Sequence, residues 1–447
     1  MERPLKLAEQ VATAIKNDVV ARGWPVGANL GSEAVLIAKY GVSRATLREA
    51  VGILEHTQLA SMHRGRGGGL TVRQPAAHVV ARTVAAHIHL AGISMDDLFD
   101  VRIHLQVLAA QLAAARMTEA DVASLRALVQ GPPPLDEHIE VALGRASGNP
   151  ALALLIPTLT RVTGMRAGAP QGAKLDGRSA KSRLEAWRRI VDATVAGDTA
   201  ALERRMRRSL DAERSWLEAR SASIVPKLQD SESGKVSERI AEELAAEVRQ
   251  RQPGEFLGNE AELLQRLGVT RAPLRQAIRI LEHHGVVRMR EGSTGGLMAC
   301  AANPSEIVDA LALYLHYIDA DIHAIAEIRG ALEVEAAGTA AGRPDIAVLL
   351  REGLPTPNEG SPTAFHTWVA QLAGNPLTTL LVRALIGATA LKPDGTSGAT
   401  PPASEETTES HRRVLEAIAE GDVSLARHRM RRDLAGCGAG KIARSSS

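Results

Sequence analysis

The stretch Gly41-Val-Ser-Arg-Ala-Thr-Leu-Arg-Glu-Ala-Val-Gly-Ile-Leu54 returns 227 residues later as Gly268-Val-Thr-Arg-Ala-Pro-Leu-Arg-Gln-Ala-Ile-Arg-Ile-Leu281. Ser43 and Thr270 carry hydroxyls suited to the free amides that open a helix. Behind them, Leu47, Ala50, Val51 and Leu54 fall at helical spacing, as do Leu274, Ala277, Ile278 and Leu281, which predicts one apolar face per helix. Arg44 and Arg48 lie four apart on the other side, and so do Arg271 and Arg275. A short helix with a packed back and two arginines near its start has the shape that enters a major groove. There an arginine bonds a guanine edge in a two-pronged way or clamps a phosphate. The same spacing also describes a surface helix with solvated charges.

Outward from this pair, the chain reads as one unit written twice. Gly31-Ser-Glu-Ala matches Gly258-Asn-Glu-Ala, Arg102 matches Arg329, and Gly148-Asn-Pro150 matches Gly374-Asn-Pro376. Met206-Arg-Arg208 matches Met430-Arg-Arg432, so the offset drifts only from 227 to 224. Each copy is expected to open with a helix, near Leu7–Arg22 and Val236–Gln250. A Pro/Gly turn follows, then a short helix capped by Ser32 or Asn259. That helix stops at Gly41 or Gly268, where glycine takes the left-handed conformation. Helix, tight turn and arginine helix make a helix-turn-helix pattern.

After it, Leu59–Val72 reads as two short β pieces around a Gly-rich basic tip, a hairpin wing whose alternative is a plain surface turn. His63, Arg64 and Arg66 could reach DNA from there. The second tip, Arg290–Gly296, is less basic, and Glu291 carries the wrong sign for a phosphate. Residues 1–75 hold ten Lys/Arg against six Asp/Glu, whereas residues 231–304 hold ten against ten. Phosphate contacts supply much of DNA affinity, so the first unit is expected to bind DNA more strongly.

Residues 76–222 and 305–437 read as helical throughout. Amphipathic runs such as Asp97–Ala115, Leu184–Ala196 and Leu202–Leu217 are broken by Gly/Pro segments at 131–134, 168–177 and 392–404. The organisation expected is a winged unit at 1–75, a helical unit at 76–222 and a linker at 223–234. A second winged unit at 235–304, a second helical unit at 305–437 and a tail at 438–447 complete it. Aromatic residues make up 2% of the 447, which favours helices over β-sandwiches. A net charge of +2 neither requires nor excludes nucleic acid. Cys300 and Cys437 occupy no equivalent positions, so no disulfide framework is implied and a reducing cytoplasm fits. No signal peptide and no membrane-spanning stretch are expected.

The segments GVSRATLREAVGILE and GVTRAPLRQAIRILE resemble the winged helix-turn-helix of GntR-type bacterial transcription regulators. DVRIHLQVLAAQLAAAR and EIRGALEVEAAGTAAG, followed in each copy by GNP and GD, resemble the FCD ligand-binding domain of the FadR subfamily. The fold implied is mainly α, with two winged domains, each with a small β wing, alternating with two all-α FCD-like bundles. The family normally has one of each and dimerises, so a tandem copy is unusual. The resemblance implies DNA contacts from Ser43, Arg44, Thr46 and Arg48, and from Thr270, Arg271 and Arg275. Wing contacts would come from His63, Arg64, Arg66, Gly67 and Arg290. One further arginine common in DNA-binding members is Ala34 here and Ala261 in the second copy.

FCD domains typically hold a metal on an Asp and a His four apart, plus two later histidines. The first copy has Asp136, Glu140, Trp187 and Ser209 there, which is no transition-metal set. The second has Pro362, His366, His411 and Asp433. His366, His411 and Asp433 could hold Zn²⁺ or a similar divalent ion, or be polar filler in a bundle. Arg102 and Arg329 match an effector-pocket arginine and could pair with a small organic acid. The alternative is a buried helix–helix salt bridge, for instance of Arg329 with Glu333 or Glu327.

The function implied is a DNA-binding transcription regulator, a repressor in the family's usual mode, tuned by a small carboxylate. Its two winged units would act on operator DNA as a covalent equivalent of the usual dimer, with further homodimerisation left open. No cofactor is required by this reading, and an enzyme is not expected. A ligand- or metal-binding sensor that has lost specific DNA recognition is the other reading, favoured by Ala34, Ala261 and Glu291.

Overall fold

The computed structural model describes residues 7–57, 59–63, 65, 68–130, 139–166, 177–221, 235–290, 295–300, 304–352, 362–392 and 405–442. The segment of the expected linker at 223–234 lies outside these residues, as do Arg64, Arg66, Gly67, Asp136 and Glu291.

The first winged unit comprises α1 (Leu7–Ala21), α2 (Glu33–Tyr40), α3 (Arg44–His56), β1 (Ala60–His63) and β2 (Gly69–Val72). Ser32 caps α2 by accepting from the Val35 N–H, and Gly41 ends it at φ 63°. Leu47, Ala50, Val51 and Leu54 are all buried, each large one contributing about 1.5–3 kcal/mol. β1 and β2 pair antiparallel, with Ala60 opposite Val72 and His63 opposite Gly69. Gly69 is required by close approach, because a Cβ there would lie 2.6 Å from the Gly31 carbonyl oxygen.

The second winged unit repeats this as α11 (Lys235–Val248), β3 (Phe256–Gly258), α12 (Glu260–Leu267), α13 (Arg271–His283), β4 (Val287–Arg290) and β5 (Gly296–Ala299). Asn259 and Glu262 close a full capping box on α12, and Gly268 ends it at φ 63°. Here β3 pairs with the outer edge of β5, where the first copy has a single bridge from Asn29 to Thr71.

The helical regions contain α4 (Ala77–Leu90), α5 (Met95–Arg116), α6 (Glu119–Gln130), α7 (Ile139–Ala146), α8 (Pro150–Arg166), α9 (Gly177–Ala196) and α10 (Thr199–Ser221). The second copy has α14 (Ser305–Tyr317), α15 (Ile322–Ala341), α16 (Ile346–Glu352), α17 (Pro362–Leu372), α18 (Pro376–Ala390), α19 (Glu405–Ala419) and α20 (Val423–Ile442). The amphipathic pattern expected over Asp97–Ala115 is not what α5 uses. It packs against α7, α8, α9 and α10 of its own bundle and α15 and α18 of the other. Leu98, Phe99, Val101, Leu105, Ala109 and Ala113 are accordingly buried around its circumference. A helix apolar on all sides is a core helix. With 22 residues and a mean hydropathy of 1.2, α5 is long and apolar enough to cross a membrane, but 56% of that stretch is buried inside the protein, as in a core helix.

The two bundles share one core, in which α4, α5 and α8 meet α14, α15 and α18. Equivalent residues make equivalent bonds across it. Asn149 Oδ1 accepts from the Ala151 and Leu152 amides at the start of α8, while its Nδ2 donates 2.9 Å to the Ala324 carbonyl. Asn375 Oδ1 accepts from Leu377 and Thr378, while its Nδ2 donates 3.1 Å to the Asp97 carbonyl. Asp97 and Ala324 are themselves equivalent positions, 227 apart. The GNP landmarks are thus the reciprocal contacts of a two-fold relation inside one chain.

The winged units dock crosswise. Leu313 of α14 lies in the first winged unit's core, with Tyr317 packed against it and its ring 5.6 Å from that of Trp24. Leu90 of α4 lies in the second winged unit's core. There His87 and His284 rings are 5.8 Å apart, and His89 Nε2 lies 3.8 Å from Glu242. Each winged unit therefore leans on the other copy's bundle.

Candidate nucleic-acid interface and effector sites

Helix α3 is opened by Ser43, in extended backbone at φ −70°, whose Oγ accepts from the Thr46 N–H at 3.1 Å. The Thr46 hydroxyl adds a contact to the same Oγ at 2.9 Å. Thr270 has the same backbone position at φ −87° but makes no side-chain cap bond. The residue three further on is Pro273, which has no N–H to donate. The expectation that the Thr270 hydroxyl caps its helix is corrected on that ground. Ser43→Ala is expected to cost about 1 kcal/mol, and Thr270→Ala almost nothing. Amide exchange, faster in α3 for the first variant and unchanged in α13 for the second, checks both.

Arg44, Arg48, Arg271 and Arg275 project into solvent, with side chains 61–75% exposed. Each pair converges on one carboxylate. Arg48 Nε donates 3.2 Å to Glu33, and Arg44 Nε lies 3.5 Å from the same oxygen. Arg275 donates to Glu260 through Nε at 2.9 Å and Nη2 at 3.2 Å, with Arg271 Nε at 4.0 Å. Arg275 holds the Glu260 carboxyl below its usual range through these bonds. Neither glutamate was singled out as a site residue from the sequence, although both lie in the repeated Gly-x-Glu-Ala landmark that could have marked them.

His63 is exposed at the end of β1, its Nε2 3.2 Å from the Ser61 hydroxyl. Arg290 is exposed at the end of β4. In the second winged unit an open cleft of about 750 Å³ runs between α12, α13 and the wing. Glu260, Ala261, Arg271 and Arg290 line it together. The structure thus brings Arg271 of α13 and Arg290 of the wing onto the same concavity, with the exposed Ala261 of α12 on its lining.

The two arginines expected near an effector are both engaged by the chain. Arg102 is 1% exposed and donates Nη1 and Nη2 to Glu213 of α10 at 3.1 and 3.0 Å. Arg329 donates Nε to Glu333 at 2.6 Å, one turn along α15. Glu333, 1% exposed, also lies 2.7 Å from His366 Nδ1. Burial pushes the Glu333 carboxyl up, but Arg329 and His366 beside it outweigh this and hold it below the usual range.

His366 on α17, His411 on α19 and Asp433 on α20 come together inside the second bundle. His366 Nε2 lies 3.6 Å from Asp433 Oδ2, and His411 Nε2 lies 3.7 Å from Asp433 Oδ1. His411 stacks on Phe365 at 3.8 Å. Burial, with His366 beside it, lowers the His411 pKa to about 4 even though Asp433 pulls it upward. The ring is therefore neutral near pH 7, the state a metal ligand needs. His411 Nε2 and Asp433 Oδ2 are buried without a hydrogen-bond partner. One ligand atom from each of the three side chains lies within 4.8 Å of the others, a looser set than the roughly 3.3–3.6 Å between ligand atoms around a tetrahedral ion with bonds of about 2.0–2.2 Å. Two imidazoles and a carboxylate are nevertheless the donor types a small divalent cation takes. Glu333 would orient His366 from behind. In the first bundle the same positions hold Glu140 and Trp187, both buried, and Ser209. Gln106 replaces Glu333 there and is buried with neither amide atom hydrogen-bonded.

Comparisons with known proteins agree with this layout. The model of the bacterial regulatory proteins of the gntR family matches residues 7–69 and 236–294, and that of the FCD domain matches 97–212 and 360–436. The chain is 29% identical over 206 residues to an HTH-type transcriptional regulator of Mycobacterium tuberculosis, covering 44% of this chain and 83% of that protein. It is 26% identical over 163 residues to the Exu regulon transcriptional regulator of Escherichia coli, covering 34% of this chain and 61% of that protein. Among solved structures, a GntR protein of Streptococcus agalactiae aligns with a TM-score of 0.33 at 23% identity, covering 47% of this chain and 99% of that one. The chain belongs to the GntR family of transcription regulators and carries the family's DNA-binding helix-turn-helix domain and the effector-binding FCD domain twice each, in tandem.

Proposed function

We propose that this regulator works as a covalent pseudo-dimer, a cytoplasmic repressor whose two winged units, 1–75 and 235–304, read two half-sites on one operator. The observation that carries this reading is the reciprocal pair of Asn149 and Asn375 across the shared core. In a dimer of single-copy chains, such bonds would join two subunits. Ser43, Arg44, Thr46 and Arg48 with His63, Arg64, Arg66 and Gly67 form the first reading surface, and Thr270, Arg271, Arg275 and Arg290 the second. The greater basic charge of the first unit assigns it the larger share of affinity.

The second bundle takes Zn²⁺ or a similar ion on His366, His411 and Asp433, and the first takes none. A small organic acid is the effector, its carboxylate exchanging for Glu213 on Arg102 or for Glu333 on Arg329. A ligand of this kind shifts DNA affinity only if it prefers one arrangement of the winged units.

The test is fluorescence anisotropy on DNA from upstream of the protein's own gene, across a salt series. The double variants Arg44→Ala/Arg48→Ala and Arg271→Ala/Arg275→Ala are each expected to weaken binding about tenfold or more, the first pair the more strongly. Affinity that is equal for upstream and random DNA, and indifferent to both variants, would point instead to a sensor that has lost DNA recognition.

A further inference from the structure

In both winged units a single carboxylate stands behind the arginines of the recognition helix. Glu33 is the first residue of α2 and Glu260 the first of α12. Around them the two copies have diverged, with Thr46 against Pro273, Glu49 against Gln276 and Gly52 against Arg279. The arrangement of glutamate and arginines is nevertheless the same.

The bonding pattern is specific. Arg48 uses Nε on Glu33, and Arg275 uses Nε and Nη2 on Glu260. A guanidinium has a side edge, Nε with one Nη, and an end edge formed by the two Nη atoms. The carboxylate occupies the side edge and leaves end-edge hydrogens free. With the side edge taken up by the carboxylate, the end edge is the remaining pair of parallel N–H donors that can meet O6 and N7 of guanine in a two-pronged way. Both arginines keep most of their surface exposed, at 69% and 61%. Arg44 and Arg271 are held more loosely, at 3.5 and 4.0 Å.

A negative charge at this place opposes phosphate binding, so it lowers affinity for DNA of any sequence. An exposed pair also does little for folding. What it supplies is orientation of a long, flexible side chain.

We propose that Glu33 and Glu260 are positioning residues for base reading, each holding Arg48 or Arg275 side-on so that its end edge reads a guanine instead of collapsing onto a phosphate. This rests on the reading of both winged units as DNA-binding. Arg44 and Arg271, less constrained, remain available to the backbone.

The test is a selection of bound duplexes from a random-sequence library by the full chain, run for wild type and for Glu33→Gln/Glu260→Gln. Wild type is expected to select a motif with a fixed guanine in each half-site. The double variant, with an unchanged thermal melt, should show guanine preference lower by about tenfold. It should also bind unrelated duplex more tightly, with a steeper salt dependence. Replacing the selected guanines by 7-deazaguanine, which lacks the N7 acceptor, should weaken wild type and leave the double variant nearly unaffected. Arg48→Lys/Arg275→Lys keeps the charge but not the fork, and should lose the same preference. A variant that keeps the wild-type guanine preference, or weakens in parallel on all sequences, overturns the positioning role. A wild type that selects no motif overturns the DNA reading itself, and the role with it.

Discussion

Glu213→Ala is expected to destabilise the first bundle by about 3–5 kcal/mol, because it strands a buried cation. Arg102 is 1% exposed and its guanidinium is held two-pronged by Glu213. Arginine does not shed its proton to escape burial. Its Nε is already without a hydrogen-bond partner, and the Phe99 ring 4.9 Å away is its other favourable neighbour. Calorimetry should show the transition of the shared bundle core roughly ten degrees lower. The double change Arg102→Met/Glu213→Leu removes both charges and should recover most of the loss, since an apolar pair of similar volume does as well in a buried site. A double variant no better than Glu213→Ala would mean that helix packing, not the stranded charge, sets the cost.

The second large effect is a loss of second-bundle stability on acidification, in protein stripped of metal by a chelator. His411 has a folded pKa of about 4 against an ordinary 6.5. Below pH 6.5 the unfolded chain takes up a proton at this position that the folded chain refuses. Stability present above pH 6.5 therefore falls as pH drops to about 4, by at most about 3 kcal/mol and by less where solvent screens the site. The Glu333 carboxyl works in a lower window. Its folded pKa lies below the ordinary 4.5, so its contribution is present above that pH and is lost beneath it. Urea titrations at a series of pH values should show the upper slope in wild type and not in His411→Gln. Adding Zn²⁺ at pH 7 should raise the unfolding temperature of wild type and of neither His411→Gln nor Asp433→Ala.

Local features of this chain were open to reading from the residues. The apolar faces of α3 and α13, the caps at Ser32 and Asn259, and the glycine stops at Gly41 and Gly268 all depend on neighbours a few positions away. The failed cap at Thr270 is also local, and Pro273 announces it. Residues whose role depends on distant partners were less accessible. His366, His411 and Asp433 were gathered by resemblance, and no spacing rule would join three separate helices. Arg102 finds its partner 111 positions away, and nothing in the sequence pairs it with Glu213. The burial of α5 on all sides follows from the second copy packing against it, so its apolar pattern lost its helical period. The crosswise docking of the winged units is a global property that neither copy's sequence carries alone.

The crosswise, covalent pairing has a consequence for symmetry. Two identical chains present identical reading heads, so the DNA they fit best is a palindrome. Here the heads are fastened in one molecule and need not match: one carries Ser43, Thr46 and Glu49, the other Thr270, Pro273 and Gln276. If the chain acts as the proposed pseudo-dimer, fusion relieves its operator of the mirror constraint, and each arm can be selected for its own word. A search for this regulator's sites should therefore weigh unequal half-sites in fixed order and orientation, because inverted repeats would discard the asymmetry that duplication allowed.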